Sequence, residues 1–222
     1  HTADIETPAI NIGGGLGVRY LESDSPPSFN SFAASVTSAL KAALDNSGLP
    51  YPTLGQEPGR TLAAEAGVTL YTVGAIKTVS TRSVPGRRMY VSIDGGLSDN
   101  PRPQLYEAAY TALLANRAAE PADTLVTIAG KHCETDILIW DICLPMPSPG
   151  DLLAVQTTGA YNYSMASNYN RFQKPAVVLV NRGEADLIVE RETLDDLISK
   201  DRIPARLAAP SPAEGVMAAG RI

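Results

Sequence analysis

The sequence predicts an α/β segment followed by an all-β domain, and three observations lead there. Two strand-like runs near the N-terminus each feed a glycine-bearing loop and then a helix-forming stretch. After Gly67 the pattern changes to short β-rich runs separated by Gly/Pro turns. With 222 residues, 44% hydrophobic and 19% charged, the chain also has enough apolar side chain for a packed core.

Residues 9–12 form the first apolar run, ending in Gly13-Gly14-Gly15-Leu16-Gly17. Without Cβ atoms, such a loop lets backbone N–H groups approach a phosphate closely. Glycine-rich turns are common, however, and this one is not the G-x-G-x-x-G dinucleotide fingerprint. A Ser/Pro loop at 23–28 precedes a helix expected from 29 to 45, with Phe32, Val36, Leu40 and Leu44 on one face. Ser47-Gly48 ends that helix, with Pro50 and Pro52 beyond. In Leu54-Gly55-Gln56-Glu57-Pro58-Gly59-Arg60, Pro58 and Gly59 suit a tight loop at a strand end and leave Arg60 to meet an anion. A helical turn then runs to Ala66. These are two successive βα units, each ending in a loop suited to phosphate. In a (β/α)8 barrel the phosphate sits on the loops after strands seven and eight. Two such units would therefore be the last of a barrel whose other units precede them.

Residues 68–73, 75–79, 88–93, 125–129, 137–140, 152–155 and 176–180 read as strands, with a turn at 84–86. They predict an antiparallel sandwich or barrel. Residues 191–200 read as a closing helix, and the Ala/Pro-rich tail from Arg202 is expected to fray. The expected domains are thus 1–66, 67–201 and a 202–222 tail. Arg87-Arg88 reads as a solvated turn, and Cys143, between Ile142 and Leu144, as a small buried hydrophobe.

A formal charge of -6 with no basic run argues against a nucleic-acid surface. No stretch approaches the ~18 consecutive apolar residues of a membrane span. The polar start, His1 to Glu6, has no signal-peptide core and reads as the beginning of a cut or processed chain. Two cysteines without a framework spacing suggest a reducing, cytoplasmic compartment.

Ala129-Gly130-Lys131-His132-Cys133-Glu134-Thr135-Asp136 gathers the one internal histidine, a thiol and two carboxylates. The residues alone allow a catalytic thiol, a weak metal site or a polar turn. A single internal histidine without C-x-x-C leaves too few ligands for zinc.

Five strings occur in one order: IGGGLG at 12–17, EPGR at 57–60, DGGLSDNPRP at 94–103, GKHCE at 130–134 and TGAYNYSMASNYN at 158–170. With them, residues 11–200 resemble the C-terminal half of the diaminopimelate decarboxylase family, fold-type III enzymes dependent on pyridoxal phosphate. The resemblance implies the last two βα units of an alanine-racemase-like (β/α)8 barrel followed by an antiparallel β-domain. It also implies a head-to-tail homodimer in which the β-domain covers the partner's site.

By the same resemblance, Gly15, Glu57, Pro58, Gly59, Arg60 and Tyr161 would hold the cofactor, with Glu57 facing the pyridine nitrogen. Arg60, Arg102, Tyr106, Glu134 and Tyr161 would hold meso-2,6-diaminopimelate. That substrate has an amino-acid head at each end, so its distal end needs a cation for the carboxylate and an anion for the ammonium. An arginine fork suits the carboxylate, and prolines on both sides stiffen the loop presenting Arg102. Cys133 would return the proton across the dimer interface, since thiols with a pKa of ~8.5 are mostly protonated at neutral pH. Tyr163 and Tyr169 read as packing residues with hydroxyls satisfied at the surface.

The chain departs from the family pattern in two ways. None of Lys41, Lys77, Lys131, Lys174 and Lys200 has the context of the lysine that carries the cofactor, and the histidine-bearing loop that stacks on the cofactor is missing too. The turn after Glu134 is also one residue shorter than in many members. The chain alone is therefore expected to be inactive, and its open parallel strands predict poor solubility in isolation. One rival is a same-fold decarboxylase acting on ornithine, arginine or carboxynorspermidine, which would not call for Arg102 and Glu134 together. Another is a non-catalytic regulator, which would have no use for Cys133, Glu134, Arg102 and Tyr161.

Overall fold

A computed structural model describes residues 8–80 and 86–208. Most of the expected turn at 84–86, and the tail from residue 209, lie outside the described residues. The chain divides into two compact units, residues 1–170 and 171–222.

The first unit opens with β1 (Ala9–Asn11), α1 (Phe29–Ser47), β2 (Thr53–Gly55) and α2 (Gly59–Ala63). β1 and β2 pair in parallel, Ala9 opposite Thr53, a pairing that needs a long crossover, here α1. The Ser28 hydroxyl caps α1 by accepting from the Ser31 N–H at 3.1 Å, and Gly48, at φ +63°, closes it in the left-handed conformation. Of the expected apolar face, Leu44 is buried and Phe32, Val36 and Leu40 are half-buried.

A 3-10 turn at Ala64–Ala66 leads into β3 (Thr69–Ser80), β4 (Arg87–Ile93), α3 (Arg102–Tyr106), β5 (Ala112–Leu114), β6 (Thr124–Ala129), β7 (Ile137–Leu144) and β8 (Leu152–Val155). They form a six-stranded sheet in the order β5-β8-β3-β4-β6-β7. The two runs read at 68–79 are one strand, with its irregularity between Val73 and Ile76. The sheet is mixed rather than antiparallel as expected, because β4 and β6 run parallel. The chain between them carries α3 and sends β5 to the far edge, against β8. It then returns to the end from which β4 started. The edge strands β5 and β7 approach each other, so the sheet curls toward closure. Alternate residues point inward: Tyr71, Val73, Val91, Ile93, Val126, Ile128, Leu138, Leu153 and Val155 form the core.

Two surface readings are corrected. Arg88 lies within β4, not in a solvated turn. Its guanidinium pairs with Asp141, donates to Thr127 Oγ1 at 2.6 Å and lies 5.2 Å from the Trp140 ring centroid. Its stem covers apolar sheet while its charge reaches the rim. Cys143 is exposed rather than buried, because the pleat of β7 turns Leu144 inward and Cys143 outward.

In the second unit, β9 (Val177–Asn181) and β10 (Glu184–Val189) form an antiparallel hairpin. The closing helix α4 (Leu194–Ile198) is shorter than expected, because a capping box between Thr193 and Asp196 fixes its start. A 3-10 turn spans Ala205–Leu207 in the segment expected to fray. Among the described residues no helix is long and apolar enough to cross a membrane.

Asp136 joins the β6–β7 turn to the loop after β4. Its buried carboxylate accepts from the Leu97 N–H at 3.0 Å and the His132 N–H at 3.2 Å, and lies 2.5 Å from His132 Nδ1. The carboxylate fills the space that a Cβ at Gly96 or Gly130 would occupy. Removing it strands buried donors, so Asp136→Ala is expected to cost roughly 3 kcal/mol of unfolding free energy. Urea denaturation would measure this; an unchanged midpoint would show that the two loops hold without it.

Candidate active site

Gly14, Gly15, Leu16, Glu57, Pro58, Gly59, Arg60 and Tyr161 line a cleft of about 380 Å³. β1 delivers the glycine loop, β2 delivers Glu57, and α2 starts at Gly59 with Arg60 in its first turn. Asn11 joins the two loops: its Oδ1 accepts from the Gly13 N–H at 2.7 Å, and its Nδ2 donates to Glu57 Oε1 at 2.6 Å. The Glu57 N–H also donates to the Gly13 carbonyl at 2.8 Å. The glycines act differently along the loop. A Cβ at Gly14 would press on the Glu57 carbonyl, whereas Gly15, at φ +98°, faces open space.

Tyr161 enters the cleft from the turn after β8. Its φ of +63° is left-handed, unusual for a residue with a side chain. The turn is pinned to the end of α2: the Gly159 N–H donates to the Ala64 carbonyl at 3.0 Å, and the Thr158 N–H to the Gly67 carbonyl at 2.9 Å. Asn162, with its amide nitrogen toward the Thr158 and Ala160 carbonyls at 3.2 and 2.9 Å, braces it from the other side. Two guanidinium groups approach the Tyr161 ring, Arg60 at 5.4 Å and Arg102 at 5.7 Å from its centroid.

Arg102 begins α3 and is only 7% exposed. Its Nη1 donates to the Tyr110 hydroxyl at 2.8 Å and the Tyr20 hydroxyl at 3.0 Å. Burial works against its charge, but Tyr110 and then Tyr20 more than offset this and raise its pKa. Tyr106, at the other end of α3, is exposed.

The thiol lies in a second group. Cys133 is exposed on the turn between β6 and β7, its Sγ 3.6 Å from Glu134 Oε2. Glu134 Oε1 accepts from the Tyr169 hydroxyl at 2.7 Å, and Oε2 from Asn170 Nδ2 at 3.1 Å. The Tyr169 bond is the main reason that the Glu134 carboxyl sits below its ordinary pKa, and Glu134 in turn pushes the Tyr169 phenol up. Cys133 and Glu134 are not among the residues lining the cleft. His132 is buried against Asp136, and no group of three His, Cys, Asp or Glu side chains among the described residues could hold a metal.

The fold therefore brings Gly15, Glu57, Pro58, Gly59, Arg60 and Tyr161 together, sets Arg102 within reach of the Tyr161 ring, and keeps Cys133 with Glu134 in a separate exposed cluster. Tyr169 does more than pack, because its hydroxyl holds Glu134. Asn11, Tyr20, Tyr110 and Asn170 were not read as site residues. Only Asn170 carried a sequence signal, since it ends the string that contains Tyr161.

Loss of a donor favours the protonated carboxyl, so Tyr169→Phe should raise the Glu134 pKa toward the ordinary glutamate value. A ¹³C NMR titration of the Glu134 carboxyl tests this, and an unmoved midpoint would mean that Asn170 and the backbone suffice.

Residues 19–159 match the model of the pyridoxal-dependent decarboxylase C-terminal sheet domain. A diaminopimelate decarboxylase of Synechocystis sp. is 52% identical over 199 residues, which are 89% of this chain and 41% of that protein. One of Bacillus subtilis is 51% identical over 193 residues, 86% of this chain and 43% of that protein. A crystal structure of diaminopimelate decarboxylase from M. jannaschii superposes with a TM-score of 0.82 at 36% identity, covering 92% of this chain and 45% of that one. A second M. jannaschii structure with the same fit is a co-complex with L-lysine. The chain spans less than half the length of these relatives. It belongs to the pyridoxal-dependent decarboxylase family and carries that family's C-terminal sheet domain.

Proposed function

We propose that this chain is the C-terminal part of a diaminopimelate decarboxylase, which converts meso-2,6-diaminopimelate to L-lysine and CO2 with pyridoxal phosphate. The observation that carries the proposal is the cleft in which Gly14, Gly15 and Leu16, the Glu57–Arg60 loop and Tyr161 meet. Pyridoxal phosphate fits what lies there. Gly13, Gly15 and Gly59 leave open the space that side chains would fill, and Arg60 supplies a cation beside the backbone donors. When bound, the cofactor supplies the electron sink that lets a carboxyl group leave as CO2.

The chain's own residues bind, orient and move a proton. Arg60 and the two loops would hold the phosphate, and Glu57, fixed by the Asn11 side chain, would pair with the ring nitrogen and keep it protonated. Arg102 takes the distal carboxylate of the substrate through its fork, while Glu134 takes the distal ammonium. Tyr161 lines the cleft beside Arg60 and lies within cation–π reach of Arg102 as well. The Cys133 thiol gives its proton to the carbon that has lost CO2, and solvent reprotonates the sulfur. Because Cys133 and Glu134 stand apart from the cleft, they serve the cleft of a second subunit, as in a head-to-tail homodimer in the cytoplasm. The parallel pair β1–β2 with α1 and α2 is then the closing part of an alanine-racemase-like (β/α)8 barrel, whose other units bring the cofactor lysine.

Joining this chain to the N-terminal part of the Bacillus subtilis relative should give a protein that forms lysine from meso-diaminopimelate, whereas the 222-residue chain alone gives none. In the joined protein, Cys133→Ala should lower kcat by roughly 10²-fold or more, with lysine still bound. Turnover by the isolated chain, or full activity without the thiol, would overturn the assignment.

A further inference from the structure

Arg102 has a second environment that the proposed chemistry does not use. Tyr20 arrives from the loop after the glycine cluster, and Tyr110 from the connection between α3 and β5. Their rings meet edge to face, with centroids 5.4 Å apart and planes at 87°. The guanidinium carbon lies 5.3 Å from the Tyr20 centroid and 5.8 Å from that of Tyr110. Both hydroxyls accept from the same nitrogen, Nη1. Tyr110 is almost fully buried, and its hydroxyl lies 3.3 Å from the Asn162 side-chain amide in the turn that carries Tyr161.

An arginine side chain is long, and its guanidinium offers a carboxylate more than one pair of N–H groups. Two acceptors on Nη1 remove that choice. They occupy the nitrogen on the side of Cδ and stop the group from turning. What remains is the opposite edge, Nε with Nη2, whose parallel N–H groups match the two oxygens of a carboxylate. Neither nitrogen is hydrogen-bonded to another described residue.

We propose that Tyr20 and Tyr110 are positioning residues. They clamp Nη1 of Arg102 so that its Nε–Nη2 edge faces a ligand carboxylate, and thereby favour a ligand ending in an amino-acid head over one ending in an amine. The inference rests on the reading of Arg102 as the distal carboxylate grip. The same two hydrogen bonds also tie the Tyr20 loop to the sheet, so its test must separate ligand orientation from stability.

The experiment uses the joined protein, as parent chain, labelled with ¹⁵N-arginine, the Arg102 signals being identified by their loss in Arg102→Lys. Tyr20→Phe, Tyr110→Phe and the double variant keep the rings and remove only the hydroxyls. In the parent chain the Nη1 and Nη2 signals of Arg102 should be resolved, because rotation is hindered; in the double variant they should merge. Titration with L-lysine should move the Arg102 Nε–H signal, whereas cadaverine, which lacks the carboxylate, should not. In the double variant the lysine response should need about tenfold more ligand, each single variant falling between. If the clamp only braces the fold, melting temperature falls while lysine response and lysine-over-cadaverine preference persist, which overturns the proposal. Signals equally resolved in the double variant overturn it as well. A parent chain whose Arg102 signal answers lysine and cadaverine alike removes the carboxylate reading of Arg102 itself, and the clamp's role with it.

Discussion

The thiol cluster depends on one buried carboxylate. Asp136 takes backbone donors from two loops that are far apart in sequence, the one after β4 and the one between β6 and β7. Its neighbours are glycines because the carboxylate occupies the volume that their side chains would need. From Asp136 the arrangement passes outward in steps. His132 lies against it, the His132 and Tyr169 rings are 5.9 Å apart, and the Tyr169 hydroxyl holds Glu134 beside Cys133. An exposed thiol on a loop would otherwise sample many positions. Here it belongs to a turn whose base is a core residue.

The second constraint is the bond between the TGAY turn and the end of α2. It places Tyr161 against Arg60 through backbone hydrogen bonds and the small cluster of Val18, Ala64 and Ala160. Arg60 comes from the α/β part of the chain and Arg102 from the β-rich part. Both guanidinium groups approach the Tyr161 ring, which thereby links the two cations. The same features explain why Arg102 is buried although it has no carboxylate partner among the described residues: two phenol hydroxyls and three aromatic rings replace the water it lost.

Much of this was legible in the residues. The strong strands, the helix after the Ser/Pro loop and its glycine stop all follow from periodicity and capping, and three of the five motif strings contain the residues that line the cleft. What escaped has physical reasons. β5 is three residues long and lacks turn signals, and β10 carries acidic residues, poor strand formers, at its first and third positions. The parallel pairing of β4 with β6 is set by a long crossover, which local pattern does not encode. Cys143 sits in an apolar run, but a strand pleat sends alternate residues outward whatever their polarity. Supporting side chains were hidden for a similar reason. Asn11 and Glu57 are 46 residues apart, Tyr169 and Glu134 are 35, and Arg102 and Tyr20 are 82. Such pairs exist only once the chain has folded.

Tyr161 carries a cost that its stacking does not reveal. A side chain at φ +63° strains the backbone by on the order of 1–3 kcal/mol, which glycine would relieve. A selection for thermal stability alone would therefore drift toward glycine at this position and lose the ring that both arginines approach. Position 161 is one where sturdiness and usefulness pull in opposite directions, so a hardened variant of this chain should be checked there first.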